Sequence, residues 1–261
     1  MSYFSASLSD ISSNARVKVY PSDSILQVAN DSIFREPGYE PRKRPYAVPS
    51  KGHAADSLRS ILESQRRARS SILDIAKCNQ FSYFATLTFS PQSVDRYDVS
   101  AVQRLVLNWL KNASCRKGFQ YLCIPEKHKD GAIHLHCLCN LGSVQTFRAY
   151  DPHRNKPLST NHGQPVFNLP EWRYGYSTAI PIDENYERTC NYLSKYITKG
   201  SEKIFGKWYY SSRQLTKKPE IQLVHGGIDY MTFRAQHPDA PEFPVYRDIR
   251  ITSIKLPARC S

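Results

Sequence analysis

His134 and His136 stand on either side of Leu135 in the segment IHLHCLC. On a strand, alternate side chains share a face, so the two imidazoles point the same way and can grip one metal ion. Farther along, NYLSKYITKG sets Tyr192, Lys195, Tyr196 and Lys199 at spacings of three and four. In a helix those spacings put all four on one stripe. A paired imidazole ligand and a paired phenol together suggest tyrosine-based phosphoryl transfer.

Two imidazoles alone hold a divalent ion weakly, so a third ligand is expected from the adjoining strand. Glu126, eight residues before His134, would complete a two-His, one-carboxylate set, and His128 competes for the same place. Mn²⁺ or Mg²⁺ suits such a set and leaves positions for substrate oxygens. The ion's task would be to polarise the scissile phosphate and offset charge in the transition state. A phenol with a pKa of about 10 needs that help, together with loss or sharing of its proton. Lys195 and Lys199 each follow a tyrosine by three residues. From there they can stabilise phenolate or protonate a leaving 3′-oxygen. Attack by a phenol conserves the phosphodiester as a protein-linked ester, so a second tyrosine can cut again while the first end awaits transfer.

The elements that must position these groups follow from periodicity. The chain has 261 residues, enough for one catalytic domain with extensions. Residues 1–53 hold the Pro-rich, basic run REPGYEPRKRPYAVPSKG and are expected to form an extended N-terminal arm. Residues 54–220 hold the catalytic domain, and 221–261 read as a C-terminal tail. Within the domain, Ala54 to Lys77 lacks Gly and Pro and predicts a basic amphipathic helix. Its Arg59, Arg66, Arg67 and Arg69 are candidates for phosphate contact. FSYFATLTFS predicts a strand, Val99 to Asn112 a helix, and Phe119–Pro125 and Ala132–Cys139 a hairpin. Residues 141–173 read as a polar surface insertion. A strand at 176–182 and a helix from Asn185 to Gly200, capped by Asp183, complete the pattern, with one more strand in KWYYSSR. This order predicts an α+β fold of split βαβ (ferredoxin/RRM-like) type. Its antiparallel sheet would carry helices on one face and the site on the open face.

The net charge of +13 favours polyanionic partners, and 17 tyrosines tilt the choice toward unpaired nucleic acid, whose bases stack on aromatic rings. No apolar run approaches the roughly 18–20 residues that span a bilayer. The opening MSYFSASLSD lacks the order of a secretion signal, so a soluble, cytoplasmic protein without a membrane partner is expected. Seven cysteines without a C-x-x-C pair fit reduced thiols better than a disulfide framework. Strand alternation puts Cys137 and Cys139 with Ile133 and Leu135, away from the imidazoles.

Three ordered segments resemble the motifs of the HUH endonucleases, in particular the rolling-circle replication initiators of microvirus- and gokushovirus-type single-stranded DNA phages. FATLTFS resembles the first motif, PEKHKDG with HLH the metal motif, and YLSKYITK the two-tyrosine nicking motif. The basic helix before Phe81 and GKWYYSSRQLTKKPE extend the resemblance over residues 54–220. It implies a nickase that cuts single-stranded origin DNA, stays joined to the 5′ end through a tyrosine and leaves a 3′-hydroxyl for a host polymerase. It further implies that His134 and His136 are ligands and that Tyr192 and Tyr196 are nucleophiles. Glu126 is the less secure ligand, since the acidic position varies in spacing. Thr86 and Thr88 share a strand face and either contact DNA or support the fold. Gly200 to Lys207 has one residue too many for a P-loop, and Trp208 stands where Ser or Thr is required. No nucleotide cofactor is therefore expected, and a host helicase would be a partner.

Three rivals remain at this level. A plasmid relaxase or single-strand transposase shares the chemistry. A two-His-carboxylate oxygenase shares the metal set but would tolerate phenylalanine at 192 and 196. A non-catalytic single-strand-binding module would bind DNA and never cleave it.

Overall fold

Runs with β-branched or aromatic residues at alternate positions become strands here, and the longest stretches without Gly or Pro become helices. A computed structural model describes residues 12–36, 38–39, 57–199, 202–246 and 248–256. From the N-terminus come β1 (Ser12–Ser13), β2 (Ala15–Val19), β3 (Ser24–Ala29) and β4 (Phe34–Arg35). The central stretch supplies α1 (Ser57–Asn79), β5 (Tyr83–Thr88), α2 (Val99–Lys117), β6 (Gln120–Lys127) and β7 (Ile133–Asn140). After these come β8 (Phe147–Arg148), β9 (Phe167–Asn168), β10 (Ser177–Pro181), α3 (Tyr186–Lys199) and β11 (Tyr210–Ser211). The chain closes with β12 (Glu220–Leu223), α4 (Tyr230–Gln236), β13 (Glu242–Tyr246) and β14 (Ile249–Leu256).

These elements divide into two units, Ser50–Lys218 and the pair of ends Met1–Pro49 with Pro219–Ser261. The central unit is built on an antiparallel sheet of order β11-β6-β7-β5-β10-β9-β8, so the histidine strand β7 is flanked by β6 and β5. Helix α2 starts at Asp98, whose carboxylate accepts from the amides of Ser100 and Ala101, and stops at Gly118, which turns with φ 68°. Its Val102, Val106 and Leu110 pack on Leu87, Cys123 and Leu135, one face of the sheet. The other face presents Leu122, Ile124 and Leu138 to Ile72 and Ile75 of α1 and to Leu193 and Ile197 of α3. Each such side chain contributes about 1.5–3 kcal/mol on burial, which drives all three helices onto the sheet.

The fold is α+β and antiparallel as expected, but helices cover both faces instead of one. The face carrying the histidines is therefore partly roofed rather than open. The reason lies in β6 and β7, whose apolar residues occupy both parities (Leu122, Ile124 and Leu138 against Cys123, Leu135 and Cys137), so both faces need cover. Residues 141–173 also depart from a surface insertion. They supply β8 and β9 to the sheet edge and bury Val144, Leu169 and Trp172 in the α2-side core.

The ends of the chain are not an arm and a tail over the described residues. β12, β2, β3, β14 and β13 form a five-stranded antiparallel sheet, with Ala15, Val28 and Phe233 of α4 at the centre of a small core. Each partner strand lies some two hundred residues from its mate in sequence, so the short alternations ARVKV and SILQVA had no visible pairing partner. The basic run at 42–44 lies outside the described residues.

The cysteines require a correction too. Cys123 and Cys137 are register partners on β6 and β7, with Cα atoms 4.1 Å apart, and are joined by a disulfide. Only strand register brings them together, and their spacing along the chain is no sign of it. Cys137 and Cys139 do lie on the face expected, with Ile133 and Leu135. Among the described residues Cys78, Cys115, Cys139 and Cys190 are thiols, and burial pushes that of Cys139 up to about 12. No helix among the described residues is long and apolar enough to cross a membrane.

Candidate functional site

Strand register arranges the roofed face in rows. Leu122, Leu138, Phe84 and Ile180 form an apolar row; Ile124, His136, Thr86 and Thr178 form the next; Glu126, His134 and Thr88 form a polar row beyond it. Tyr176 continues this last row, its carbonyl accepting the Thr88 amide at 2.8 Å, and it is half exposed. Gly175 permits that approach, because a Cβ there would lie 2.3 Å from the Thr88 carbonyl oxygen and 2.5 Å from the Ser90 nitrogen.

His134 and His136 do share one side. Thr88 Oγ1 lies 3.2 Å from His134 Nδ1, and Thr86 Oγ1 lies 3.3 Å from His136 Nδ1. Both threonines thus orient an imidazole. With Nδ1 engaged, each ring turns its Nε2 outward, and His136 Nε2 meets Glu126 Oε2 at 2.7 Å. In that contact Nε2–H donates to the carboxylate and Nδ1 accepts from the threonine hydroxyl. A hydroxyl can also accept, so Thr86 and Thr88 can serve the other tautomer, in which Nε2 offers its lone pair to a metal.

His134 is paired in register with Glu126 and stacks on the exposed His128, ring centroids 5.2 Å apart. His128 Nδ1 in turn lies 3.3 Å from Asp130. Burial, followed by the charge of His128, holds the His134 imidazole below its ordinary pKa, which favours the neutral form that ligates. The chemistry of the donor set fits a divalent cation: two outward Nε2 atoms and one carboxylate. Neighbouring ligands around an ion with bonds of about 2.1 Å lie roughly 3 Å apart. The His136–Glu126 separation needs to widen only slightly to reach that. Among the described residues, however, no three His, Cys, Asp or Glu side chains stand as a ready-formed metal cluster.

Helix α3 brings both tyrosines to the histidines, but in different settings. The Tyr196 ring lies flat on His136, centroids 3.8 Å apart and planes 11° from parallel, and is buried. Its hydroxyl donates to the Tyr192 hydroxyl at 2.6 Å. Burial, and then the bond it donates to Tyr192, holds the Tyr196 phenol well above its usual range. Tyr192 is 48 % exposed and so reachable by a substrate. Phe84 touches both partners, 6.1 Å from His136 and 5.6 Å from Tyr192 by ring centroid. Its parity with Thr86 and Thr88 was the one signal that could have placed it at the site.

Lys195 is exposed on the same helix, and the side chain of Lys199 lies outside those described. The arginines of α1 do not converge on the histidines. Arg59 and Arg67 both pair with Glu63, and Arg66, Arg67 and Arg69 face solvent. The helix is nevertheless tied to the site, since Gln65 donates to the Ile197 carbonyl and Trp208 Nε1 donates to Ser64.

No curated protein and no solved structure matches the chain at a significant level. Residues 82–201, a little under half of the chain, match the family model for replication-associated protein ORF2. That span runs from β5 to α3 and contains the threonines, Glu126, both histidines and both tyrosines, and the match supports a replication-initiator role.

Proposed function

We propose that the protein is a rolling-circle replication initiator of the HUH endonuclease kind, nicking and rejoining single-stranded origin DNA through a 5′-phosphotyrosine link. The observation that supports this most directly is the meeting of His136, Glu126, Tyr196 and Tyr192 at one place, through a 2.7 Å bond, a stacked ring pair and a 2.6 Å bond. A scissile phosphate bound there would touch both the ligand set and a reachable phenol.

Tyr192 makes the first attack in this reading. Its oxygen forms a bond to phosphorus, the bond from phosphorus to the 3′-oxygen breaks, and the leaving oxygen takes a proton to become the free 3′-hydroxyl. Rejoining reverses these steps with an incoming 3′-hydroxyl. Tyr196, whose raised pKa keeps its proton, donates to the Tyr192 oxygen and steadies the phenolate form. Lys195 and Lys199 supply positive charge along the same helix and are the candidates to protonate the leaving oxygen. Mn²⁺ or Mg²⁺, held by His134, His136 and Glu126, would neutralise charge on the non-bridging phosphate oxygens. The 3′-hydroxyl left behind is a primer for a host polymerase, with strand opening by a host helicase, so the reaction would belong to the host cytoplasm.

The test is to incubate the purified chain and Mn²⁺ with end-labelled single strands from the replicon that encodes it, and to look for label on the protein band. The band is expected with the native chain and absent from the Tyr192→Phe, Tyr196→Phe double variant. Its persistence in that variant would remove the tyrosines from the chemistry. DNA binding without any band under all conditions would favour the non-catalytic module.

A further inference from the structure

A cavity of about 170 Å³ opens beside the site. Its apolar walls are Ile124, Ile197, Ile204 and the Trp208 ring, and it shares Glu126 and Tyr196 with the catalytic group. Pockets for drug-sized ligands run to roughly 300–1,000 Å³, so this one suits a single flat ring system rather than a longer molecule. The Trp208 ring is fixed by its hydrogen bond to Ser64 at 2.8 Å, and the Lys203 ammonium stands 5.7 Å from the ring centroid. At the rim Lys127 pairs with Glu202, and Lys207 adds a second ammonium, so both donors and acceptors line the opening. Flat apolar walls with a mixed polar rim match a nucleobase, which has two π-faces and an edge of alternating donors and acceptors.

We propose that this cavity binds one unstacked base of the DNA strand, the nucleotide next to the scissile phosphate, and so sets a base preference at the cut. The inference rests on the reading that the site acts on single-stranded DNA. The shared walls make the geometric case: a base seated against Ile124 and Trp208 leaves its own phosphate at Glu126 and the tyrosines. Trp208, Lys207 and Ile204 lie beyond the stretch matched by the family model, so the preference would belong to this chain's own C-terminal extension of that stretch.

The experiment uses the full chain in EDTA, where cutting does not interfere, and short labelled strands of equal phosphate number. In these strands A, C, G or T alternates with abasic sites, and a fully abasic strand serves as reference. Affinities are expected to spread by about tenfold or more among the bases, the scale of one base–aromatic stack. Trp208→Ala, and Ile204→Trp, which fills the cavity, should both collapse the spread while leaving affinity for the abasic strand unchanged. A spread that survives both variants, or an equal loss on the abasic strand, overturns the proposal. Free mononucleotides binding as tightly as the strands would also overturn it, by making the cavity a nucleotide site. Covalent adduct formation without any base preference would sink the pocket alone, and a base preference without adduct would sink the nicking reading alone.

Discussion

Tyr196 gives its proton to a hydrogen bond with Tyr192 while lying flat on His136, so the two phenols are set up for different work. A bond donated to a charged oxygen is worth about 1.5–3 kcal/mol, or roughly 10- to 100-fold in rate. Single-turnover cleavage should therefore slow by about that factor in Tyr196→Phe and vanish in Tyr192→Phe. The reverse pattern would exchange their roles. Tyr196 also gives a pH signature. Its folded pKa is raised above the ordinary value of 10.0, so its contribution to stability is complete below that value and is lost as pH rises through the folded one. Denaturant unfolding should show an alkaline decline beginning near pH 10 that is shallower in Tyr196→Phe. Thr86 and Thr88 make a third test at this scale. Replacing either with valine keeps the strand but removes the imidazole's partner, and Mn²⁺ affinity by calorimetry should fall about 10- to 100-fold. The histidines, Glu126 and the tyrosines were legible because side-chain period alone fixes which residues share a face. The threonine contacts were not, since each threonine lies 46 or 50 residues from its histidine and meets it only through strand pairing.

Among the elements, β7 carries opposite duties on its two sides: ligands toward α3 and a disulfide-bearing, apolar surface toward α2. The bridge closes a loop of sequence separation 14, for which constraint of the unfolded chain gives about 3 kcal/mol. Reduction with dithiothreitol should lower unfolding stability by about 2–3 kcal/mol, visible as a lower denaturant midpoint. An unchanged midpoint would mean that the strand pair holds without it. Gly175 makes the second element-scale test. Alanine there would drive its Cβ into the backbone at Thr88 and Ser90. A cost of about 1–3 kcal/mol is expected, with weaker Mn²⁺ binding because Thr88 moves with its strand. The helices and main strands of the central unit were readable from period and from breakers. Strands β8 and β9 were not, because two-residue strands carry no period. Their burial comes from Leu169 and Trp172, isolated apolar residues in a polar stretch.

At the scale of the whole molecule the net charge of +13 sets the salt response. Binding to single strands should weaken with salt at a slope of about −0.7 per phosphate neutralised. The exposed Arg67 and Arg69 of α1 should contribute, so their double alanine variant is expected to flatten the log–log slope by about one. An identical slope would leave them as a merely solvated helix face. The unit built from the two chain ends shows where composition misleads: serine, proline and charge in the first residues pointed to an extended arm, yet ARVKV and SILQVA found partners at 220–223 and 249–256. Residue order alone carries the set of side chains able to do the chemistry and the face of its own element on which each sits. Those are consequences of a two-residue strand period and a 3.6-residue helix period, both local. Packing selects which faces meet: that α1 and α3 roof the histidines, that Cys123 finds Cys137, that Tyr196 lies on His136 and leaves Tyr192 exposed. Such choices depend on how apolar surface from distant segments is removed from water together, and local periodicity holds no information about that.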